Sequence, residues 1–513
     1  MLYKKLFRYA ILILSWLSLT ATYFYFGHSL AVTSDGVANI LEARAIINGN
    51  IFLHGWTLSP DTFYTLDTLL DVFLMIIGLH LITINYLTPA IIYSSLVCIT
   101  YYAAKVASKN MSISLLSTAV FLAFPITKYI VLFTQPHLMT TLFIVSTFLL
   151  YSSRFIRFKY LLSFFLLFLA VTGDPYALFV GVLPIIAYST LMIFIEYYNN
   201  TNKKNSHYIK MITSSIAAAI LAKLTVYLIG AEGGYHFIPN QLMFVQFDKL
   251  GNNIKLFIES ILVVMQSDFF GQNIFSYKTI TEMIHAALFI LFSVFAFIHI
   301  KMTALKDNSD IVNLSLFSIF ATCLAFVFST QPVDIFTSRY LLDILFFVTI
   351  LFSYLSTIYY KKISYVLFFS SLLIMSYFIY ESTNAPHNKN KNYIKVIKFL
   401  EKRKLTYGLA DYWNAAPFTF LSNSVVKVRQ VVTNSDGLIT PYAWLSDSRW
   451  YKNITHPQFL IVGKSGNVDI KSSVAIKNYG PPKQIQVIAG YKIFIYTSAS
   501  DVINHTDPSQ IPR

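Results

Sequence analysis

The chain has 513 residues, of which 56% are hydrophobic, 17% aromatic and only 12% charged, with a formal net charge of +15 at pH 7. So apolar a composition excludes both a disordered chain and an ordinary string of soluble domains, and it calls for a polytopic membrane protein. The positive charge does not call for nucleic acid: the basic residues stand in short loops beside apolar runs and in the tail, without a nucleic-acid motif, where they set topology and attract anionic lipid.

Lys4, Lys5 and Arg8 stand at the start of the first apolar run, Leu6 to Phe26, so the N-terminus is expected in the cytoplasm and Gly27 outside. The run exceeds a signal-peptide core and lacks a small-x-small cleavage site, and it is expected to remain as an anchor. Ser34 to Asn50, SDGVANILEARAIINGN, reads as a helix outside the membrane, with Ser34 and Asp35 as capping residues and Gly49 as its stop. At roughly 100° per residue Asp35, Asn39 and Glu42 share one face, expected to be the wet one, opposite Val37, Ile40, Leu41 and Ile47. Taken alone, Asp35 reads as a cap and the helix as an interfacial anchor.

The run from Thr68 to Ile84 is long enough to cross. It is flanked by Asp67 and carries Asp71, and it ends at Asn85 without basic residues, so it is expected to be re-entrant or to lie on the surface. Spans are then predicted at Pro89 to Ala104, Ile113 to Ile130, Leu138 to Ser152, Tyr160 to Thr172, Tyr176 to Ile195 and Met211 to Ile229. Four more follow at Ile280 to Ile300, Ile311 to Thr330, Ile335 to Ile358 and Ile363 to Tyr380. With the first, the total is about eleven, N-terminus in and C-terminus out. Lys105, Lys109, Arg154, Arg157, Lys159, Lys203, Lys204, Lys210, Lys301, Lys306, Lys361 and Lys362 all fall inside on this reading; Lys128 alone falls near an outer end. Cys98 and Cys323 lie in predicted spans, so no disulfide framework is implied.

The polar residues gather on the outer side: Asp35, Glu42, Asp61, Asp67, Gln135, His137, Asp174, Glu232, His236, Asp334 and Arg339 all fall in external loops or at external span ends. A one-sided site suits an enzyme better than a transporter, which paired broken helices in corresponding halves would mark. Asp174, in TGDPYAL, is either a second external carboxylate of the site or a cap followed by Pro. Arg339, in FTSRYLLDILFF, is either a cation for a phosphate or an intrahelical partner of Asp343 four residues on. Gln135 and His137, in FTQPHLMTT, carry no spacing of metal ligands, so a divalent metal has no ligand cluster behind it. The stretch Gly230 to Lys278, with EGGYHFIP and its His236, reads as a long external loop.

From residue 381 the apolar runs stop, and the rest reads as a water-soluble α/β domain. YIKVIKFLEKRK, within Asn392 to Lys404, is an amphipathic helix with Tyr393, Ile394, Ile397 and Leu400 on one side and lysines on the other. TYGLADYWNAAPFTFLS, with Tyr412 and Trp413, and PYAWLSDSRWY are aromatic enough to contact carbohydrate or to fill a core. FLIVGK and GYKIFIYTS read as strands of a small mixed sheet.

The hydrophobic first helix followed by an acidic residue opening a juxtamembrane helix, D-G-x-x-x-x-x-x-A-x-x-x-x-x-G, resembles the first external loop of the GT-C glycosyltransferases. That superfamily includes protein O-mannosyltransferases and aminoarabinose transferases. The R-Y-L at Arg339 is similar to a GT-C segment that holds a lipid phosphate, and the topology fits over most of residues 1–380. The resemblance implies an α-helical membrane domain with external first loop 27–86, a soluble extracytoplasmic domain from 381, and inverting transfer of a hexose from a polyprenyl-phosphate donor. It implies Asp35 as the base that takes the acceptor proton, with Arg339 and Lys128 at the donor phosphate. Glu42, Gln135, His137, His236, Tyr412 and Trp413 are secondary or acceptor-side candidates. Length and the external tail look like the phage-type serotype-converting glucosyltransferases, implying a lipopolysaccharide O-antigen or other surface glycan as acceptor at the bacterial inner membrane. The rival class is a lipid-linked glycan flippase, polymerase or other transporter.

Overall fold

The computed structural model describes residues 2–125, 137–199, 205–238, 243–302, 310–357, 360–384, 389–451, 457–462 and 470–496. The chain forms two compact units, one of residues 1–27, 89–226 and 240–385, the other of residues 28–88, 227–239 and 386–513.

Among the described residues eight helices are long and apolar enough to cross a membrane: Ala10–Gly27, Leu81–Ser108, Leu178–Tyr198, Asn205–Ala231, Tyr277–Val294, Asp310–Phe328, Ile335–Ser356 and Lys362–Glu381. Of the other three predicted spans, Leu138 to Ser152 and Tyr160 to Thr172 coincide with the shorter apolar helices Leu138–Ser152 and Lys159–Gly173, and Ile113 to Ile130 overlaps Met111–Ala123, its residues from 126 on lying outside the described ones. The protein is a multi-pass membrane protein. Leu250–Val264 is a helix inside the stretch read as a loop, because its apolar residues recur at helical spacing over too few residues to resemble a span.

In the first unit the helix Leu342–Ser356 is buried along almost its whole length, which explains why it is apolar on every side. A second feature concerns the helix Met111–Thr118, which widens into a π-helical turn, Ala119–Ala123. The last carbonyls of a helix have no partner in their own helix, and hydrocarbon offers no water in its place. Four side chains from elsewhere in the unit meet them in succession. His285 Nε2 lies 3.1 Å from the Val120 oxygen, and Gln266 Nε2 donates to Phe121 at 3.2 Å. Tyr93 donates to Leu122 at 2.7 Å and Tyr23 to Ala123 at 3.0 Å.

In the second unit the run expected to be re-entrant is a ten-residue helix, Asp67–Ile76, broken by a turn in which Gly78 has φ +86° before the next helix begins at Leu81. Ten residues rise about 15 Å, half the hydrocarbon thickness, so this helix does not cross. Strand β1, Trp56–Leu58, pairs in parallel with β2, His236–Phe237. The tail supplies β3, Tyr407–Ala410; β4, Lys427–Thr433; β5, Ile439–Pro441; β6, Ser446–Asp447; β7, Phe459–Val462; β8, Gln484–Ile488; and β9, Tyr491–Ile495. β6 joins β1 antiparallel, and the others form a mixed sheet in the order β5-β4-β3-β7-β9-β8.

Side-chain alternation along these strands makes a core on each face. Ala410, Ile461 and Ile493 pack with Val396, Ile397, Leu400 and Phe418, whereas Leu409, Leu460 and Phe494 pack with Val431, Ile439 and Tyr479. The helix Lys391–Lys402 accordingly buries Val396, Ile397 and Leu400, while Ile394, expected on the same face, is exposed. At Gly408 of β3 an added Cβ would lie 2.3 to 2.6 Å from ring atoms of buried Phe459. Gly408→Ala is therefore expected to destabilise this unit by about 1–3 kcal/mol, the usual cost of overpacking. Thermal unfolding should show a lowered Tm, partly restored when Phe459→Leu is added; an unchanged Tm would show that the ring yields freely.

Candidate functional site

The helix opened by the acidic motif runs from Ser34 to Ile47, one residue earlier than a cap at Ser34 would give. Thr33 is the cap: its hydroxyl accepts the Gly36 N–H at 3.2 Å. Asp35 is thereby released from capping and stands, partly exposed, in the first helical turn, where the backbone dipoles favour a negative charge. The Tyr412 hydroxyl donates to Asp35 Oδ1. Ser34 Oγ donates to the Tyr412 carbonyl oxygen at 2.5 Å. Tyr412 opens the helix Tyr412–Leu421 and lies beside Trp413 and Tyr442, with ring centroids 5.0 and 5.5 Å away. Burial, then the Asp35 charge, raises the Tyr412 phenol well above its ordinary pKa, so it remains a donor. Tyr412 is 7% exposed, unlike Trp413, which is 46% exposed.

Glu42 departs from expectation. It is wholly buried with Asn39, while Ile47, placed on the dry face, is 44% exposed. The reason is that the helix Ser34–Ile47 packs against both Asp67–Ile76 and Tyr412–Leu421, so both of its faces are covered. Thr68 Oγ1 donates to Glu42 Oε2 at 3.2 Å, while Oε1 has no hydrogen-bond partner among the described residues. Burial lifts this carboxyl from its ordinary 4.5 to about 8. The folded protein therefore holds a proton that the unfolded chain releases, and stability falls as pH rises from about 4.5 to about 8. Glu42→Gln imitates the protonated form and is expected to flatten that loss, with Tm above wild type at pH 8 and near it at pH 4. Equal pH dependence in both proteins would place a charged Glu42 in the fold. His236, on exposed β2, has its Nε2 2.9 Å from Thr57 Oγ1 of β1.

Within the first unit, His137 and Asp174, 37 positions apart in sequence, meet at 2.7 Å between Nδ1 and Oδ2. Both are buried, and Thr140 Oγ1 donates to the same oxygen at 2.5 Å. Asp174 ends the helix Lys159–Gly173 instead of starting the next, and its Oδ1 accepts the Tyr176 N–H at 3.0 Å. The expected cap becomes a turn in which one carboxylate receives three donors. Such a carboxylate orients a histidine: it holds the proton on Nδ1 and leaves the lone pair of the neutral ring on Nε2, the arrangement of a general base or a metal-ligating histidine. The sequence had shown His137 without a companion ligand, because the two residues lie on different helices.

The His137 ring faces Tyr176 and Tyr340, at centroid distances of 4.7 and 5.2 Å. The Tyr176 hydroxyl points at the Tyr340 carbonyl oxygen, 2.5 Å, and at Asp343 Oδ1, 2.8 Å. Thr322 Oγ1 donates to Asp343 Oδ2 at 3.0 Å. Arg339 has its guanidinium carbon 5.3 Å from the Tyr340 ring centre. The α-helical pair expected between Arg339 and Asp343 has a different backbone: residues Ile335–Leu341 form a 3-10 helix, capped by Asp334, and the α-helix begins at Leu342. The tighter turn takes the two residues off the common i, i+4 row. Asp174, His137 and Arg339 are thus linked through two tyrosines that sequence reasoning passed over, although each lies within two residues of a chosen one, as D-P-Y and R-Y. Lys128 and Gln135 lie outside the described residues.

No protein-family model matches this chain, and no curated protein resembles it in sequence. Its structure is similar to the crystal structure of ArnT from Cupriavidus metallidurans bound to undecaprenyl phosphate, with a TM-score of 0.57 over 96% of this chain and 98% of that one. At 8% identity the likeness is one of fold, and the chain has the GT-C membrane fold expected from its first loop and span pattern.

Proposed function

We propose that the chain is a glycosyltransferase that moves a sugar from a polyprenyl-phosphate donor to a hydroxyl of a surface glycan at the outer face of the cytoplasmic membrane. The observation that carries this reading is a partly exposed carboxylate, Asp35, freed from capping and held in the opening turn of the helix Ser34–Ile47, in a protein with the GT-C fold. The neighbour of that fold was solved with a polyprenyl phosphate bound, which supports the same donor class.

In the proposed reaction the acceptor oxygen bonds to the anomeric carbon as the bond from that carbon to the phosphate oxygen breaks. The acceptor proton passes to Asp35, and the polyprenyl phosphate leaves with the electron pair. Arg339 is assigned to the departing phosphate, since its planar fork keeps charge and presents several donors. His137, oriented by Asp174, is assigned a supporting role. Membranes containing the protein, given radiolabelled polyprenyl-phosphate glucose, mannose or galactose, are expected to pass label into surface polysaccharide. Label appearing across the membrane still attached to the lipid would favour a flippase instead.

A further inference from the structure

We propose that Tyr412 is a positioning residue for Asp35, its hydroxyl fixing the orientation of the carboxylate; this rests on Asp35 being the base. A carboxylate on a short side chain turns about its last bond, and a base works only within hydrogen-bond reach of the proton it takes. The Tyr412 hydroxyl restrains that rotation by donating to Oδ1. The donor is itself held on three sides. Ser34, next to Asp35, returns a bond to the Tyr412 carbonyl at 2.5 Å, so the openings of two helices are tied in both directions. Asp411 caps the helix of Tyr412, accepting the Trp413 N–H at 2.9 Å and the Asn414 amide at 2.7 Å. The Tyr412 ring is wedged edge-on against Trp413 and Tyr442 in a cluster with Ala38, Trp444 and Leu445.

Burial also decides between this role and sugar stacking. A stacking tyrosine offers a ring face to the ligand, whereas Tyr412 is 7% exposed and its hydroxyl is committed to Asp35. The tail thereby contributes to catalysis through a residue that need not touch the substrate.

Tyr412→Phe keeps the ring and its packing and deletes only the hydroxyl. With the labelled donor that the wild type uses, kcat per folded protein should fall about 10- to 100-fold, the scale of a small misplacement of a reacting group, while KM for the acceptor stays put. Adding Tyr412→Phe to Asp35→Asn should lower the rate no further, because the hydroxyl acts through that carboxylate. A raised KM with intact kcat would make Tyr412 a sugar contact and overturn the proposal. So would full kcat, or a loss matched by a lowered folded fraction in thermal unfolding. If Asp35→Asn is itself active, the base reading fails and takes this one with it. An inactive Asp35→Asn beside a fully active Tyr412→Phe sinks only the present inference.

Discussion

Asp35→Asn is expected to bring sugar transfer to near background while the protein accumulates in membranes at its normal level. A positioned general base contributes about 10² to 10⁴ in rate, and an amide of the same shape cannot take the proton. The fold should tolerate the change, since Thr33 and not Asp35 caps the helix, and the Tyr412 hydroxyl can donate to an amide oxygen as to a carboxylate. Transfer and abundance are measured together in membranes. Activity above about a tenth of wild type would be too high for a lost base and would overturn the assignment. His137, whose ring Asp174 orients, would then be the group to test, through His137→Gln and Asp174→Asn.

Arg339→Ala is expected to lower transfer by about 10² to 10³, as removal of a charge-stabilising donor does, with Arg339→Lys falling between it and wild type. Lysine keeps the charge but loses the planar fork and the stacking surface that Arg339 turns toward Tyr340. A structural role leaves a different mark. If Arg339 serves only to balance Asp343, then Asp343→Asn should reduce protein abundance as much as Arg339→Ala does, and the double variant should recover it. Asp343 already receives hydroxyl donors from Tyr176 and Thr322 within the first unit, so such recovery is not expected.

Truncation is a poor way to separate recognition from chemistry in this protein. Removing residues from 386 on would strip β6 from β1 and Trp450 from Trp56, whose rings meet at 5.1 Å, and would expose the helix that carries Asp35. Point variants keep that unit intact.

The sequence by itself determined what a solvent can read from a chain. Apolar runs of membrane length with basic loops gave the spans, the acids at Asp67 and Asp71 and the lack of basic residues at Asn85 marked a segment that does not cross, and alternating strands with an amphipathic helix marked the tail as α/β. The acidic first-loop motif singled out Asp35. What it could not decide was which face of a helix meets water, because helical periodicity reports amphipathicity only when one side stays wet. The helix Ser34–Ile47 is covered on both sides, so Glu42, placed in water by the pattern, is buried with a carboxyl lifted to about 8. Nor could periodicity join residues remote in sequence. Asp35 to Tyr412 and His137 to Asp174 are contacts that exist only once the chain has packed, and burial makes them matter, since a polar group taken from water must find its partner wherever the fold brings one.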